Sequence, residues 1–421
     1  MDPAVITLMV LAAAAFLFVT ELIPLCATAL AAPMVLGICG VLSPEQVFSG
    51  LSNPTVVMFA GMFVVGAAIL ESGLALAIGN LVVQKAGTRE RPLTAALMGV
   101  TIAISSVCAN TSVVACLMPV FIGIAAAAKI PVSPLLMALV IAAAAGGTIT
   151  MAGCEPNMLT AAAMENAGIE PFGFLEFAWV GIPLSLLSVW YMLFIGLRLT
   201  PRHPAASGMT APKQRRAGSR ARSISCFFIL LYAVCGLSIG IPGMTYEMAA
   251  VSAALACVLS GCISERTALL RIDWVTIFLF AGMLPVAEAL DKTGAGRLIA
   301  LKVVALTGQH PAPLFLTTMF FALSGAITQV MSNTATTALL CPISIAVARE
   351  MGGSPYPLLM AVCIASSCAF TTPVGTPPNT MVMGPGGFKF KDYLRAGTPL
   401  LLLSLILCAA IIPLVWPFYP A

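Results

Sequence analysis

Ser105-Ser106-Val107-Cys108-Ala109-Asn110-Thr111-Ser112 interrupts an otherwise apolar segment, 93–128, leaving an arm of about 15 residues on either side. Gln329-Val330-Met331-Ser332-Asn333-Thr334-Ala335-Thr336-Thr337 divides a second apolar segment, 311–348, in the same way. Each arm is short for a membrane span, which needs about 20 apolar residues. A re-entrant hairpin with its polar tip near the bilayer midplane fits better. Non-helical backbone at that depth persists only where protein or a water-filled cavity satisfies its N–H and C=O groups. The two interruptions therefore mark an enclosed polar site in a membrane protein.

The rest of the chain agrees with that class. Of 421 residues, 60% are hydrophobic and only 9% charged, 20 Lys+Arg against 16 Asp+Glu, with mean hydropathy +1.04. About 25% charged is usual for a soluble domain, so a soluble enzyme is excluded. The length leaves room for about ten to twelve helices, and the long unbroken apolar runs are not those of a transmembrane barrel. The 13 Cys include no C-x-x-C pair, and the two His, His203 and His310, stand beside Pro in expected loops. A disulfide framework, a zinc site or a haem is therefore not expected, and no cofactor is implied. The first twenty residues lack a basic leader region and read as a retained span.

An internal repeat organises the chain. Phe59-Ala60-Gly61-Met62 recurs as Phe280-Ala281-Gly282-Met283, and Ser72-Gly73 as Thr293-Gly294, at an offset of 221. Ala109-Asn110-Thr111 matches Ser332-Asn333-Thr334, and Pro134-Leu135-Leu136-Met137-Ala138 returns letter for letter at 357–361. Gly153 with Pro156-Asn157 matches Gly375 with Pro378-Asn379, and Gly181-Ile182-Pro183 matches Gly397-Thr398-Pro399. The expected organisation is a first repeat over 1–197 with its hairpin at 93–128 and a broken helix at 134–167. A basic linker over 198–222 follows, then a second repeat over 223–421 with its hairpin at 311–348 and a broken helix at 355–384.

Five spans plus a hairpin make an odd number of crossings per repeat, so the second repeat enters the membrane inverted. With loops 73–92 and 198–222 in the cytoplasm, sixteen Lys and Arg fall on that side, including Lys85, Arg89, Lys213, Arg222 and Arg271; Lys292, Arg297, Lys302 and Arg349 fall on the other. This obeys the positive-inside rule. The expected fold is an all-α polytopic membrane protein of two inverted repeats, both termini outside, in a bacterial inner membrane. Paired broken helices in inverted repeats mark a secondary transporter whose site lies where the breaks meet.

The tips carry chemistry suited to an ion pair. Asn110, Thr111, Ser112, Ser332, Asn333 and Thr334 are residue types that cap a helix start, and a helix N-terminus favours an anion. The preceding half-helix ends in free carbonyls, which with Ser105, Thr328 and the Asn side chains suit a small hard cation. No Lys or Arg lies in the four segments, so dipoles and bound cations would supply the positive complement. Isolated small polar residues in membrane helices are usually packing contacts; the same triplet at two symmetric breaks is a stronger signal.

Ser332-Asn333-Thr334-Ala335-Thr336, Pro373-Val374-Gly375-Thr376-Pro377-Pro378-Asn379, Gly384-Pro385-Gly386-Gly387 and Thr20-Glu21-Leu22-Ile23-Pro24-Leu25 resemble the divalent anion:sodium symporter family over nearly the whole chain. That family's usual additional N-terminal helix is not seen here. The resemblance implies a homodimer in a lipid bilayer, moving dicarboxylate, citrate or sulfate with sodium by an elevator-like shift. It implies that Asn110, Thr111, Ser332, Asn333, Thr334, Thr376 and Pro377 bind the anion. One sodium site would use Ser105, Asn110 and the Gly153 carbonyl, the other Thr328, Asn333 and the Gly375 carbonyl.

Two positions depart from the family pattern. Ala109 stands where Ser is usual, and Cys154-Glu155-Pro156-Asn157 stands where Thr-Pro-Pro-Asn is usual. Glu155 either caps the following half-helix in a wet vestibule or acts as a coupling residue that replaces a sodium ion or carries a proton. Glu21, Glu71 and Asp273 read as structural acids at cytoplasmic ends; Glu165, Glu170 and Glu176 read as a solvated outer loop. The rival readings are a proton-coupled anion carrier or arsenite-type extruder, and an anion-binding receptor without transport. Nothing in the chain calls for nucleic acid, and a membrane enzyme lacks a nucleophile–base or metal constellation.

Overall fold

A computed structural model describes residues 2–20, 22–74, 89–203, 220–240, 243–307 and 311–419. Glu21, Lys85, His310 and the 204–219 part of the linker lie outside the described residues. The first half runs α1 (Pro3–Thr20), α2 (Leu25–Ile38), α3 (Pro44–Phe48), α4 (Pro54–Glu71), α5 (Glu90–Ser105), α6 (Asn110–Ala128), α7 (Val132–Gly147) and α8 (Glu155–Asn166), then α9 (Ala178–Leu199). The second half runs α10 (Arg220–Cys235), α11 (Tyr246–Leu259), α12 (Glu265–Arg271), α13 (Trp274–Lys292), α14 (Ala295–Thr307), α15 (Pro313–Ile327), α16 (Asn333–Glu350), α17 (Tyr356–Ser367), α18 (Pro377–Gly386) and α19 (Phe390–Val415). Among the described residues, seven helices are long and apolar enough to cross a bilayer. The protein is an all-helical polytopic membrane protein.

The helix starts follow local chemistry. Asn53 accepts from the Thr55 and Val56 N–H groups, with Pro54 at the first helical position of α4, where its missing N–H costs nothing. Asp273 caps α13 by accepting from the Thr276 N–H. The polar interruptions part α5 from α6 at 106–109, both packed along α7, and α15 from α16 at 328–332, both packed along α17. The helical course is likewise interrupted between α7 and α8, at 148–154, and between α17 and α18, at 368–376.

Packing sorts the helices into two bodies. In one, α1–α4 pack with α10–α13. Here α4 crosses α11 at Gly61, where a Cβ would stand 2.9 Å from the Ala250 carbonyl carbon, and α13 crosses α2 at Gly282, where it would stand 2.3 Å from Ala29 O. Small residues let membrane helices approach this closely. The phenylalanines that open the repeated motif, Phe59 and Phe280, meet edge to face at 4.7 Å.

In the other body, α5–α9 pack with α15–α19 around α7 and α17. Every residue of α7 except Ala144 is buried, and every residue of α17 except Tyr356. A helix apolar on all sides belongs in a core, which accounts for the letter-for-letter repeat lying here. Helix α14 packs on α16 and α13. Two acids of the expected solvated loop also have partners, Glu165 while remaining exposed. Glu176 accepts from Trp416 Nε1 at 2.7 Å and from the Gly173 N–H at 2.8 Å, and Glu165 accepts from the Thr55 hydroxyl.

Candidate functional site

The two tips share one hydrogen-bond pattern. Ser105 Oγ, at the end of α5, lies 2.7 Å from Asn110 Oδ1 and 2.8 Å from Ala143 O. Thr328 Oγ1, just past α15, lies 2.9 Å from Asn333 Oδ1 and 2.7 Å from Ser366 O. All of these side chains but Asn333 are buried. A hydroxyl has one proton to donate, and a carbonyl or amide oxygen has none. In each tip, then, three oxygens converge on one another with a single proton among them. Such a cluster is short of donors, and a small hard cation, which takes oxygen ligands, is the natural complement.

The unwound segments are held in place by the repeated asparagines. Asn157 Nδ2 donates to Gly147 O at 3.1 Å and Thr150 O at 2.7 Å. Asn379 Nδ2 donates to Ala369 O at 2.7 Å and Thr372 O at 2.9 Å. The Thr150 hydroxyl donates to Ser106 O and the Thr372 hydroxyl to Gln329 O, so each break is tied to its tip. The repeated glycines supply room. A Cβ at Gly181 would lie 2.4 Å from Thr148 O, and one at Gly397 2.1 Å from Phe370 O, so α9 and α19 each press on a break. Gly147 presses on a tip: its Cβ would fall 2.5 Å from Asn110 Oδ1, and that of Gly153 2.4 Å from Gly147 O. Gly375 lies against the other tip, its Cβ 2.5 Å from Thr328 O.

The halves also interlock. Helix α6, begun by Asn110, packs on α18, begun by Pro377, while α16, begun by Asn333, packs on α8, begun by Glu155. Cys363 Sγ donates to Asn157 Oδ1 at 3.0 Å, and Cys154 Sγ meets Ser367 Oγ at 3.4 Å. Thr111, Ser332, Thr334 and Thr376 are half-buried at the starts of these helices, and Pro377 is exposed. The caps differ from one tip to the other. Ser332 caps α16, its hydroxyl accepting from the Ala335 N–H at 3.2 Å, whereas α6 is preceded by Ala109 with no side-chain cap. Asn110 is therefore not a cap; its side chain turns back to Ser105.

Sequence reasoning did not find the Ala143 and Ser366 carbonyls, since a backbone acceptor leaves no mark in the sequence. It also did not find Gln329, which braces the second tip by donating to Gly325 O at 2.7 Å and Cys368 O at 3.1 Å and accepting from Thr371. Arg271 was expected only as a cytoplasmic charge. It pairs with Glu71 at 2.7 Å and lines, with Ser112, Cys154, Glu155, Phe63 and Gly66, a cavity of about 20 Å³ between α4 and the first tip. That volume holds about one water.

Comparisons with known proteins agree with this architecture. The chain is similar to the YdaH transporter of Alcanivorax borkumensis, with a TM-score of 0.68 at 15% identity over 100% of each chain. It is also similar to MtrF of Neisseria gonorrhoeae, with a TM-score of 0.65 at 14% identity over 91% of this chain and 87% of that one. At such identities the likeness speaks for the fold. In sequence it is 24% identical to the uncharacterized transporter YfbS of Escherichia coli (strain K12), covering 98% of this chain and 99% of that protein. It is 24% identical to the sodium-dependent dicarboxylate transporter SdcS of Staphylococcus saprophyticus, covering 94% and 83%. The citrate transporter family, CitMHS, matches residues 15–347 and 297–419; the chain belongs to this family and is a transporter, not an enzyme.

Proposed function

We propose that this secondary transporter moves a small anion of the dicarboxylate, citrate or sulfate class together with sodium. The observation that carries the reading is the pair of proton-short oxygen clusters, Ser105–Asn110–Ala143 O and Thr328–Asn333–Ser366 O. A cation at each cluster would neutralise it and place positive charge beside the starts of α6 and α16. The N–H groups and hydroxyls of Asn110, Thr111, Ser332, Asn333, Thr334 and Thr376, beside Pro377, would then take the anion. Neither ion is comfortable without the other, which is the physical basis of coupling. Gly153 and Gly375 would offer further carbonyls to the first and second cation. The likeness to SdcS, a sodium-dependent dicarboxylate transporter, supports the same pairing of ions.

The two halves, 1–197 and 223–421, would act as inverted repeats joined by a cytoplasmic linker, 198–222, with both termini outside a bacterial inner membrane. The body holding the tips would slide against the body of α1–α4 and α10–α13 in an elevator-like shift, as one subunit of a homodimer. The matched hydrogen bonds of the two tips and the sixteen-to-four distribution of basic residues support this arrangement.

Glu155 supports a second reading, coupling to protons. It stands at the first position of α8 and lines the cavity at the first tip, as Arg271 does. An ionisable group at this depth is a functional candidate. Uptake of labelled succinate, citrate and sulfate into proteoliposomes, under a sodium gradient, a proton gradient or neither, tests both readings. Sodium-driven uptake of one of them supports the first. Uptake driven only by protons replaces it with the second, and ligand binding without flux under any gradient overturns both in favour of a receptor.

A further inference from the structure

The polar links between the two helix bodies are unevenly distributed. At one end, Arg349 at the close of α16 holds Asp291 near the close of α13 with two bonds from Nη1, 2.8 and 2.7 Å, and its Nη2 donates to Ala167 O at 2.8 Å. Asn166 Nδ2, at the end of α8, donates to Leu284 O of α13 at 3.2 Å. The Thr55 hydroxyl, at the start of α4, donates to Glu165 of α8. Three links therefore join the body of the tips to its neighbour at this end. Arg297 of α14 adds an ion pair to Glu350 at 3.1 Å.

At the opposite end, three contacts among the described residues lie within one body or the other. Arg271 pairs with Glu71, Ser223 donates to Ser72 O at 3.0 Å, and Arg202 pairs with Glu90 at 3.2 Å. Between the ends, a long thiol bond crosses the bodies, Cys108 Sγ to Gly66 O at 3.7 Å. A cavity of about 320 Å³ lies over the linked end, lined by Asp291, Arg297, Arg349 and Glu350 among others. Water thus reaches these pairs, and they are free to part and re-form.

We propose that Arg349–Asp291, with Thr55–Glu165 and Asn166–Leu284 O, forms a latch that holds the carrier in the state described here and must open for the site to reach the latched side. The inference rests on the sliding reading above. By the distribution of basic residues the latched end is the outer one, so the described state faces inward. One two-bond pair that is partly exposed contributes little by itself, as suits a lock released in every cycle. Its loss would shift the balance of states rather than unfold the protein, because each link joins two bodies that are packed internally without it.

The native thiol of Cys154 reports the shift, since it lines the cavity at the first tip. A membrane-impermeant maleimide, added to either side of oriented vesicles and mapped on Cys154 by mass spectrometry, needs no transported substrate. Failure to find uptake would therefore count against the carrier reading without touching this result. In Asp291→Asn and, independently, Thr55→Val, labelling from the outer side should rise about three- to fivefold, the worth of one such link. Labelling from the inner side should fall. Exchanging the charges, Asp291→Arg with Arg349→Asp, should bring the rates back toward the wild type. A mirror-image change supports the latch and reverses the sidedness. Unchanged rates, or an equal rise on both sides, overturn the latch.

Discussion

Ser105 Oγ lies 2.7 Å from Asn110 Oδ1, and the same hydroxyl lies 2.8 Å from Ala143 O, so one proton serves two acceptors. On the sodium reading the bound ion complements these oxygens. Ser105→Ala removes one oxygen from the first cluster and leaves Asn110 in place. The half-saturating sodium concentration for succinate or citrate uptake should rise about tenfold, equivalent to roughly 1.4 kcal/mol of cation binding. Thr328→Ala should do the same at the second cluster. A sodium titration of uptake in proteoliposomes checks both; an unchanged titration would remove the hydroxyls from the cation sites.

Gly147 offers a steric test of the same cluster. A Cβ there would stand 2.5 Å from Asn110 Oδ1, closer than atoms tolerate, so Gly147→Ala should push the amide off Ser105 and abolish sodium-stimulated uptake. Gly99 sits on an exposed position of α5 with nothing within 4 Å of its Cβ. Gly99→Ala should leave uptake intact and stabilise the helix by up to about 1 kcal/mol. Uptake assays with thermal melts of the purified variants separate the two effects.

The tips differ in one cap, and the difference is correctable. Ser332 caps α16 with its hydroxyl, while Ala109 leaves the start of α6 without a side-chain cap. Ala109→Ser should restore the missing bond and stabilise the protein by about 1 kcal/mol, read as a higher melting temperature with sodium dependence retained. A lower melting temperature would mean that a hydroxyl is not accommodated beside the first tip.

These differences show what was legible before the fold. The hairpins and breaks were readable because polar residues inside apolar runs have few explanations, and because each occurs twice. Asn157 and Asn379 were visible as a repeated Pro-Asn, but their work, clamping Thr150 O and Thr372 O, belongs to backbone carbonyls that any residue would present. Arg271 reaches the first tip through a contact between α12 and α4 that no local pattern encodes. Glu165 and Glu176 read as solvated acids because their partners, Thr55 and Trp416, are far away in sequence.

Glu155 separates the two coupling readings. If it carries the coupling proton, its carboxyl must gain and lose charge during the cycle, with Asp273 as its charged neighbour and Arg271 lining the same cavity. Glu155→Gln cannot titrate, so uptake should lose its pH dependence while keeping the shape of its substrate saturation. On the sodium reading the pH profile of Glu155→Gln should match that of the wild type. Uptake rates measured across pH 5 to 8 decide between them.

The most direct test of two cation clusters is thermal stabilisation of the purified protein by sodium, without any transported substrate. A ligand that binds only the folded state raises its stability with concentration. Sodium should raise the melting temperature of the wild type where equal potassium does not, less in Ser105→Ala or Thr328→Ala, and not at all in the double variant. Equal shifts with sodium and potassium, or a full sodium shift in the double variant, would contradict the account.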